Sequence, residues 1–290
     1  MTLRPFRLIF GTRRGLRRFA LNAFALFGVI SAVIQFYSAV WLPEKAPAHP
    51  ASIALWIAAA AVVYGGARAW PHRQVLREFG RPNITVVVKV GDLFEQDAHL
   101  VIGFNDVFDT DTTNGVVINP TSVQGQFQER IYGNDLDRLD ADLTGALHGT
   151  APVRTERRTA KRQGKLKRYP IGTVATLSDT GRQFFCVAYS KMQNNLIAKS
   201  TVDDLWQSLG ALWDAVYLRG RRGTVAMPIV GSELAKINCL DRESLLRMIL
   251  LSFVARSREE LICKKLVVVI HPRDYDRLNM LEVEAFLRTL

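Results

Sequence analysis

From Phe19 to Leu42 the chain carries no Asp, Glu, Lys or Arg. That run exceeds the roughly 20 apolar residues needed to cross a bilayer's hydrocarbon core, so it reads as a transmembrane helix. A second uncharged run, Ala51 to Ala67, is at the short end of the spanning range. Trp56, Tyr64 and Trp70 suit headgroup depth and Arg68 can snorkel out of the apolar layer, which extends this span to about Trp70. The short, Pro-rich "PEKAPAHP" between the runs fits a tight turn between antiparallel spans. A cleaved signal peptide is the rival reading, because basic residues precede the first run and Ala46 and Ala48 follow it. The first run is longer than a signal peptide's apolar region of about 7 to 15 residues, and a second apolar run follows directly. The favoured reading is a two-helix transmembrane hairpin over 19–70, with spans at about 19–42 and 51–70.

Basic residues orient the hairpin. Arg4, Arg7, Arg13, Arg14, Arg17 and Arg18 lie in the basic segment 1–18, and Arg68, Arg73, Arg77 and Arg81 follow the second span. The linker holds only Lys45. An excess of Lys and Arg marks the cytoplasmic side, so both termini and the remainder of the chain, 80–290, are expected to face the cytosol. Much of the formal net charge of +11 lies beside the spans, where it would meet anionic lipid. The other basic cluster is "RTERRTAKRQGKLKR", Arg154 to Arg168, whose only acid is Glu156. A solvated, mobile insertion and a lipid or nucleotide contact remain equal readings of it. No aromatic side chain interleaves its charges before Tyr169, which argues against a single-strand stacking site and against a nucleic-acid partner. Cys186, Cys239 and Cys263 lack metal-ligand spacing and read as reduced thiols.

Beyond Gly80, short β-rich runs alternate with helical patterns. "ITVVVKV" (84–90), "HLVIGF" (99–104), "FFCVAY" (184–189), "GTVAMPIV" (223–230) and "KLVVVI" (265–270) read as strands. Several are apolar on both faces, as strands covered by helices on both sides are. Helical spacing recurs over Phe127 to Tyr132, Val202 to Arg219, Arg242 to Ser257 and about Tyr275 to Leu287, with Thr201 as an N-cap and Gly220 as a stop. This alternation implies a three-layer α/β/α domain. In such sheets ligands bind outside the carboxyl ends of the central strands. Three polar loops stand there: "GDLF", "NDVFDT" and "PIVGSELAKI". The last could turn several backbone N–H groups toward one anion. His148 and His271 lack a carboxylate or Cys at ligand spacing, and turn or core roles fit them better than catalysis or metal binding.

Taken in order, "VGDLFEQDAHLVIGFNDVFDT", "SVQGQF" and "MPIVGSELAKI" resemble a macro domain, an ADP-ribose-binding α/β/α fold with a mixed sheet, over roughly Ile84 to Leu290. With the hairpin in front, the chain is most similar to the membrane-bound effectors of Thoeris-type (type II) antiphage systems. The resemblance implies a ligand site of Asp92, Leu93, Asn105, Ser122, Gly125, Gly231, Ser232, Glu233 and Leu234. In it Asp92 would accept from the adenine amino group, Asn105 would lie near the distal ribose, and Ser122, Gly125, Gly231 and Ser232 would form the phosphate-side loops. The resemblance further implies a nucleotide second messenger, an ADP-ribose derivative such as a histidine-ADP-ribose conjugate, made by a TIR-domain enzyme that is a functional rather than a stably bound partner. It places the chain in a bacterial inner membrane, as a homo-oligomer that disrupts the bilayer and causes abortive infection, with no cofactor and no catalytic residue. Small residues Gly28, Ser31, Ala32, Gly65 and Gly66 would permit close helix approach in such an assembly, and the absence of ionisable residues mid-span disfavours a charged ion pathway. The alternative is a membrane-tethered ADP-ribosyl hydrolase. Against it, catalytic macro domains carry a run of glycines where this chain reads "SVQGQF", with the single Gly125 between Gln124 and Gln126.

Overall fold

The structure, a computed structural model, describes residues 9–41, 49–70, 72–231 and 240–290. The chain divides into two compact units, one running to Arg73 with Asn279–Glu282, the other Gln74–Leu278 with Val283–Leu290. The first contains α1 (Arg13–Trp41) and α2 (Pro50–Ala69). Both are long and apolar enough to cross a membrane, and their apolar stretches are almost wholly unburied, unlike the core helix of a globular protein. Pro50 opens α2, where a missing N–H costs nothing. The two helices meet at Gly65: a Cβ there would lie 2.9 Å from Ala23 Cβ and 3.0 Å from the Phe19 carbonyl oxygen. Gly28 and Gly66, expected to serve the same purpose, face open space instead. Arg4, Arg7, Leu42, Lys45, Ala46 and Ala48 lie outside the described residues.

The second unit follows as β1 (Gln74–Phe79), β2 (Ile84–Val90), β3 (His99–Asn105), α3 (Val123–Tyr132), α4 (Leu136–Leu147), β4 (Arg154–Thr155), β5 (Lys167–Arg168), β6 (Val174–Asp179), β7 (Arg182–Met192), β8 (Ala198–Lys199), α5 (Val202–Arg219), β9 (Thr224–Pro228), α6 (Arg242–Glu259), β10 (Lys265–Ile270) and, from Val283 on, α7 (Met280–Thr289). The main sheet runs β1-β2-β10-β9-β3-β7-β6, with β8 added to β7. The inner strands β2, β10, β9, β3 and β7 are mutually parallel. The outer strands β1 and β6 run antiparallel to their neighbours. The sheet is therefore mixed, its parallel centre covered by helices on both faces.

On one face, α3 and α4 bury Phe127, Tyr132, Leu139, Leu143 and Leu147 against Leu100, Ile102, Phe104 and Phe184. Phe127 lies at the centre, its ring 6.5 Å from that of Phe104, 5.4 Å from Tyr132 and 5.2 Å from Phe184. On the other face α5 and α6 pack through Trp213 and Phe253, 5.2 Å apart, and the indole N–H of Trp213 donates to Ser252 Oγ at 3.0 Å. A capping box of Thr201 and Asp204 opens α5, and Arg247 over the Phe286 ring places α7 beside α6. Cys186 and Cys263 are free and buried, and burial pushes the Cys263 thiol up to about 12. Cys239 lies outside the described residues.

Two neighbours on α3 are expected to respond oppositely to substitution. Phe127→Ala removes a fully buried ring and is expected to lower unfolding free energy by about 3–5 kcal/mol. Gln128 is equally buried, yet neither polar atom of its side chain has a partner among the described residues. Gln128→Met is therefore expected to be neutral or stabilising. Denaturant unfolding of the full chain in detergent, followed by near-UV circular dichroism, measures both.

Candidate functional site

Because five neighbouring strands are parallel, their carboxyl ends meet along one side of the sheet. There a cavity of about 320 Å³ opens, lined by residues from the ends of β2, β3, β7, β9 and β10 and from the N-terminal turns of α3 and α6. Sheet order separates its two ends: Asp92 follows β2, while Asn105 and Ser190 belong to β3 and β7.

At the β2 end, Asp92 Oδ1 accepts from the Phe94 N–H at 2.9 Å and Oδ2 accepts from Arg130 at 2.6 Å. Arg130 also lies over the Phe94 ring, 5.3 Å from its centroid. Burial pushes the Asp92 carboxyl up, but the Phe94 N–H, Arg130 and His271 outweigh it and hold the group below its ordinary value. It is an anion at neutral pH. His271 reaches the same cavity from the end of β10, with Nδ1 accepting from the Arg273 N–H at 3.2 Å, and Arg242 pairs with Asp274 at 2.8 Å on the cavity wall.

α3 begins at the cavity's edge. Ser122 is its N-cap, with Oγ accepting from the Gly125 N–H at 3.1 Å and donating to the Asn119 carbonyl at 2.7 Å. The N–H groups of Val123 and Gln124 make no hydrogen bond among the described residues, and both residues line the cavity. Unsatisfied N–H groups at a helix N-terminus suit an anion. Gly231, with φ of 82°, lines the wall after β9.

At the far end, Asn105 Oδ1 accepts from the Val107 and Asp109 N–H groups at 3.1 and 3.2 Å. Its Nδ2 makes no bond among the described residues. The β3–β7 register shifts between Phe104 and Asn105, so that Asn105 pairs with Ser190. Tyr189, the residue passed over, lies against Gly103, where a Cβ would come within 2.5 Å of its ring. Glycine is required there by close approach rather than by backbone angle.

Of the residues expected from the sequence, Asp92, Leu93, Asn105, Ser122 and Gly231 line this one cavity. Gly125 does not. A Cβ on it would fall 2.4 Å from the Pro120 carbonyl and 2.5 Å from that of Asn119, so its bare backbone is required by the loop that leads into α3. Ser232, Glu233 and Leu234 lie outside the described residues. His148 is exposed at the end of α4. Arg242, Tyr189, Ser190 and Asp274 were not anticipated; each comes from a segment whose local pattern is that of an ordinary helix, strand or turn.

The basic cluster is not the solvated, mobile insertion that its composition allows. Its ends pair as the short β4–β5 ladder, Arg154 opposite Arg168. Lys161 is wholly buried on Asp109, Nζ to Oδ2 at 2.9 Å. Arg168 donates to both Asp106 oxygens at 3.1 and 2.8 Å and to Glu156 at 2.7 Å.

Asp92→Asn is expected to change unfolding free energy by less than about 1 kcal/mol, since its oxygen can still cap Phe94 and the Arg130 pair is open to solvent. Thermal denaturation measures this, and a larger loss would make Asp92 a part of the fold rather than a group free to serve a ligand.

Three comparisons bear on this geometry. The family model described as "Thoeris protein ThsA, Macro domain" matches residues 86–271. No curated protein matches the chain. Among solved structures, a mutant macrodomain from Oceanobacillus iheyensis aligns at 12% identity with a TM-score of 0.51, covering 76% of this chain and 100% of its own. The same macrodomain with ADP aligns at 11% identity and 0.42 over 76% and 100%. The macro domain of ganglioside induced differentiation associated protein 2 aligns at 12% and 0.40 over 73% and 88%. The first of these likenesses establishes the fold.

Proposed function

Because the chain belongs to the Thoeris ThsA macro-domain family, we propose that its cavity is a receptor site for an ADP-ribose-type nucleotide, acting in antiphage defence, and that the apolar hairpin is the output. The observation that carries the reading is a single cavity with a carboxylate at one end, unsatisfied helix N–H groups at its edge and a strand-end amide at the other. Asp92 would accept from the adenine amino group, the α3 N-terminus and the Gly231 loop would take the diphosphate, and Asn105 Nδ2 would donate to the distal ribose. The signal would come from a TIR-domain enzyme, and a histidine-ADP-ribose conjugate remains the expected class of ligand. α1 and α2 would lie in the inner membrane with the receptor unit in the cytosol.

The chain is proposed to bind rather than to turn over its ligand. Where a glycine-rich loop would embrace the phosphates, this chain has a capped helix start with Gly125 turned toward its own loop. Coupling requires that ligand bind the membrane-active state more tightly than the resting one, since equal affinity shifts nothing. Moving a population from about 1:99 to 99:1 takes roughly 5.5 kcal/mol of differential binding, which several associated protomers supply more readily than one.

Asp92→Ala is expected to weaken ADP-ribose binding by about one to two decades, the loss of a hydrogen bond to a charged acceptor; unchanged affinity in calorimetry would remove Asp92 from the site. Liposomes holding the full chain are expected to leak dye only when nucleotide is added, without consumption of ADP-ribosyl substrates. Turnover abolished by Asn105→Ala would establish the hydrolase instead, and leakage independent of ligand would reduce the hairpin to an anchor.

A further inference from the structure

The turn that carries Asn105 out of the sheet is strained. Phe108 holds φ of 51° while wholly buried, a conformation that costs a bulky residue and persists only when its surroundings over-determine it. Part of that constraint is aromatic, from the rings of Phe104 at 5.6 Å and Tyr169 at 5.7 Å. The rest comes from the basic segment. Lys161 Nζ donates to Asp109 Oδ1 at 3.2 Å, to Oδ2 at 2.9 Å and to the Lys165 carbonyl at 2.7 Å, so its three protons are all used. Asp109 Oδ1 also accepts from the Lys165 N–H. The turn linking these groups closes so tightly over the pair that a Cβ on Gly164, at φ of 75°, would lie 2.4 Å from Asp109 Oδ1 and 2.6 Å from Lys161 Nζ.

Asp109 in turn holds two residues of the cavity wall. Its N–H donates to Asn105 Oδ1 at 3.2 Å, and its carbonyl accepts from Gln124 Nε2 at 2.5 Å. We infer that Lys161 is a positioning residue for the ligand site: its buried pair with Asp109 fixes the strained 105–109 turn, and thereby aims the Asn105 amide and seats Gln124. Burial pushes the Asp109 carboxyl up and the Lys161 ammonium down, each resisted by the other's charge, so neither partner is stable without its mate. The affinity arm of the test below rests on reading the cavity as a nucleotide site; the exchange arm does not.

The test compares the full chain in detergent as wild type, Lys161→Met and Ser252→Ala. The last removes the buried acceptor of Trp213 on the opposite face of the sheet, and so controls for general destabilisation. Without ligand, hydrogen exchange of residues 105–111 is expected to rise in Lys161→Met and not in Ser252→Ala, while 265–270 stays protected in both. ADP-ribose affinity is expected to fall ~tenfold or more in Lys161→Met and to hold in Ser252→Ala. Wild-type exchange at 105–111 in a folded Lys161→Met chain would overturn the inference, as would equal affinity losses in the two variants. If Lys161→Met does not fold, the isosteric Asp109→Asn takes its place under the same criteria. If wild type itself binds no ADP-ribose, the nucleotide reading fails and the exchange comparison alone decides the role of Lys161.

Discussion

The arrangement of the site depends on one irregularity in the sheet, the register shift where β3 and β7 pass from Phe104 opposite Ala188 to Asn105 opposite Ser190. A bulge inserts one extra residue and bends the strand that carries it. Here the residue that the β3–β7 register passes over is Tyr189, whose ring lies over Gly103. Past the shift, the Asp106 N–H donates to the Ser190 carbonyl at 2.7 Å and the Asp106 carboxylate accepts from the Met192 N–H at 2.8 Å. Just past β3, Asp106 is thus still hydrogen-bonded to β7 through its backbone N–H and its carboxylate, and Asn105 stays at the cavity while the chain turns away from it.

Much of the positive charge that the composition puts in one segment is consumed internally. Asp106, Asp109 and Asp140 meet Arg168, Lys161 and Lys165, and Glu156 is held between Arg154 and Arg168. The acids of the "NDVFDT" loop and the bases of Arg154 to Arg168 are two halves of one network, which explains why a loop following a buried strand can be so polar. A buried pair of this kind contributes little net stability compared with apolar packing, but breaking it leaves an uncompensated charge. It therefore fixes position more than it adds to stability.

The interior strands were legible because β2, β9 and β10 are apolar on both faces, a pattern that only a doubly covered sheet requires. The edge strands were not: β1 buries Val75 alone on its inward side, and β6 ends in Ser178 and Asp179, so neither has the apolar run that marks an inner strand. α4 carried a readable signal, Leu139, Leu143 and Leu147 at helical spacing behind the N-cap Asp135, which the short acidic residues between them obscured. Among the residues that line the cavity, Asp92 and Asn105 could be read from the sequence because each stands at the end of a recognisable strand. Lys161 could not, since its partner is 52 residues away and nothing local distinguishes a buried lysine from its exposed neighbours. Gly125, expected beside a ligand, is not among the residues that line the cavity, for a related reason. A glycine in a loop announces close approach without saying to what, and here the approach is to the loop's own carbonyls.

The antiparallel outer strands have a consequence for self-association. An unpaired strand edge is a template on which a second copy can extend the sheet, and proteins blunt such edges with charge and brevity. β1 is six residues long and presents Gln74, Arg77 and Glu78 to solvent beside a single exposed apolar residue, Leu76, and β6 is six residues long and finishes on an exposed serine and a half-exposed aspartate. Both margins are poor templates for edge-to-edge growth, so the macro-domain unit can be crowded on a surface without polymerising through its own sheet.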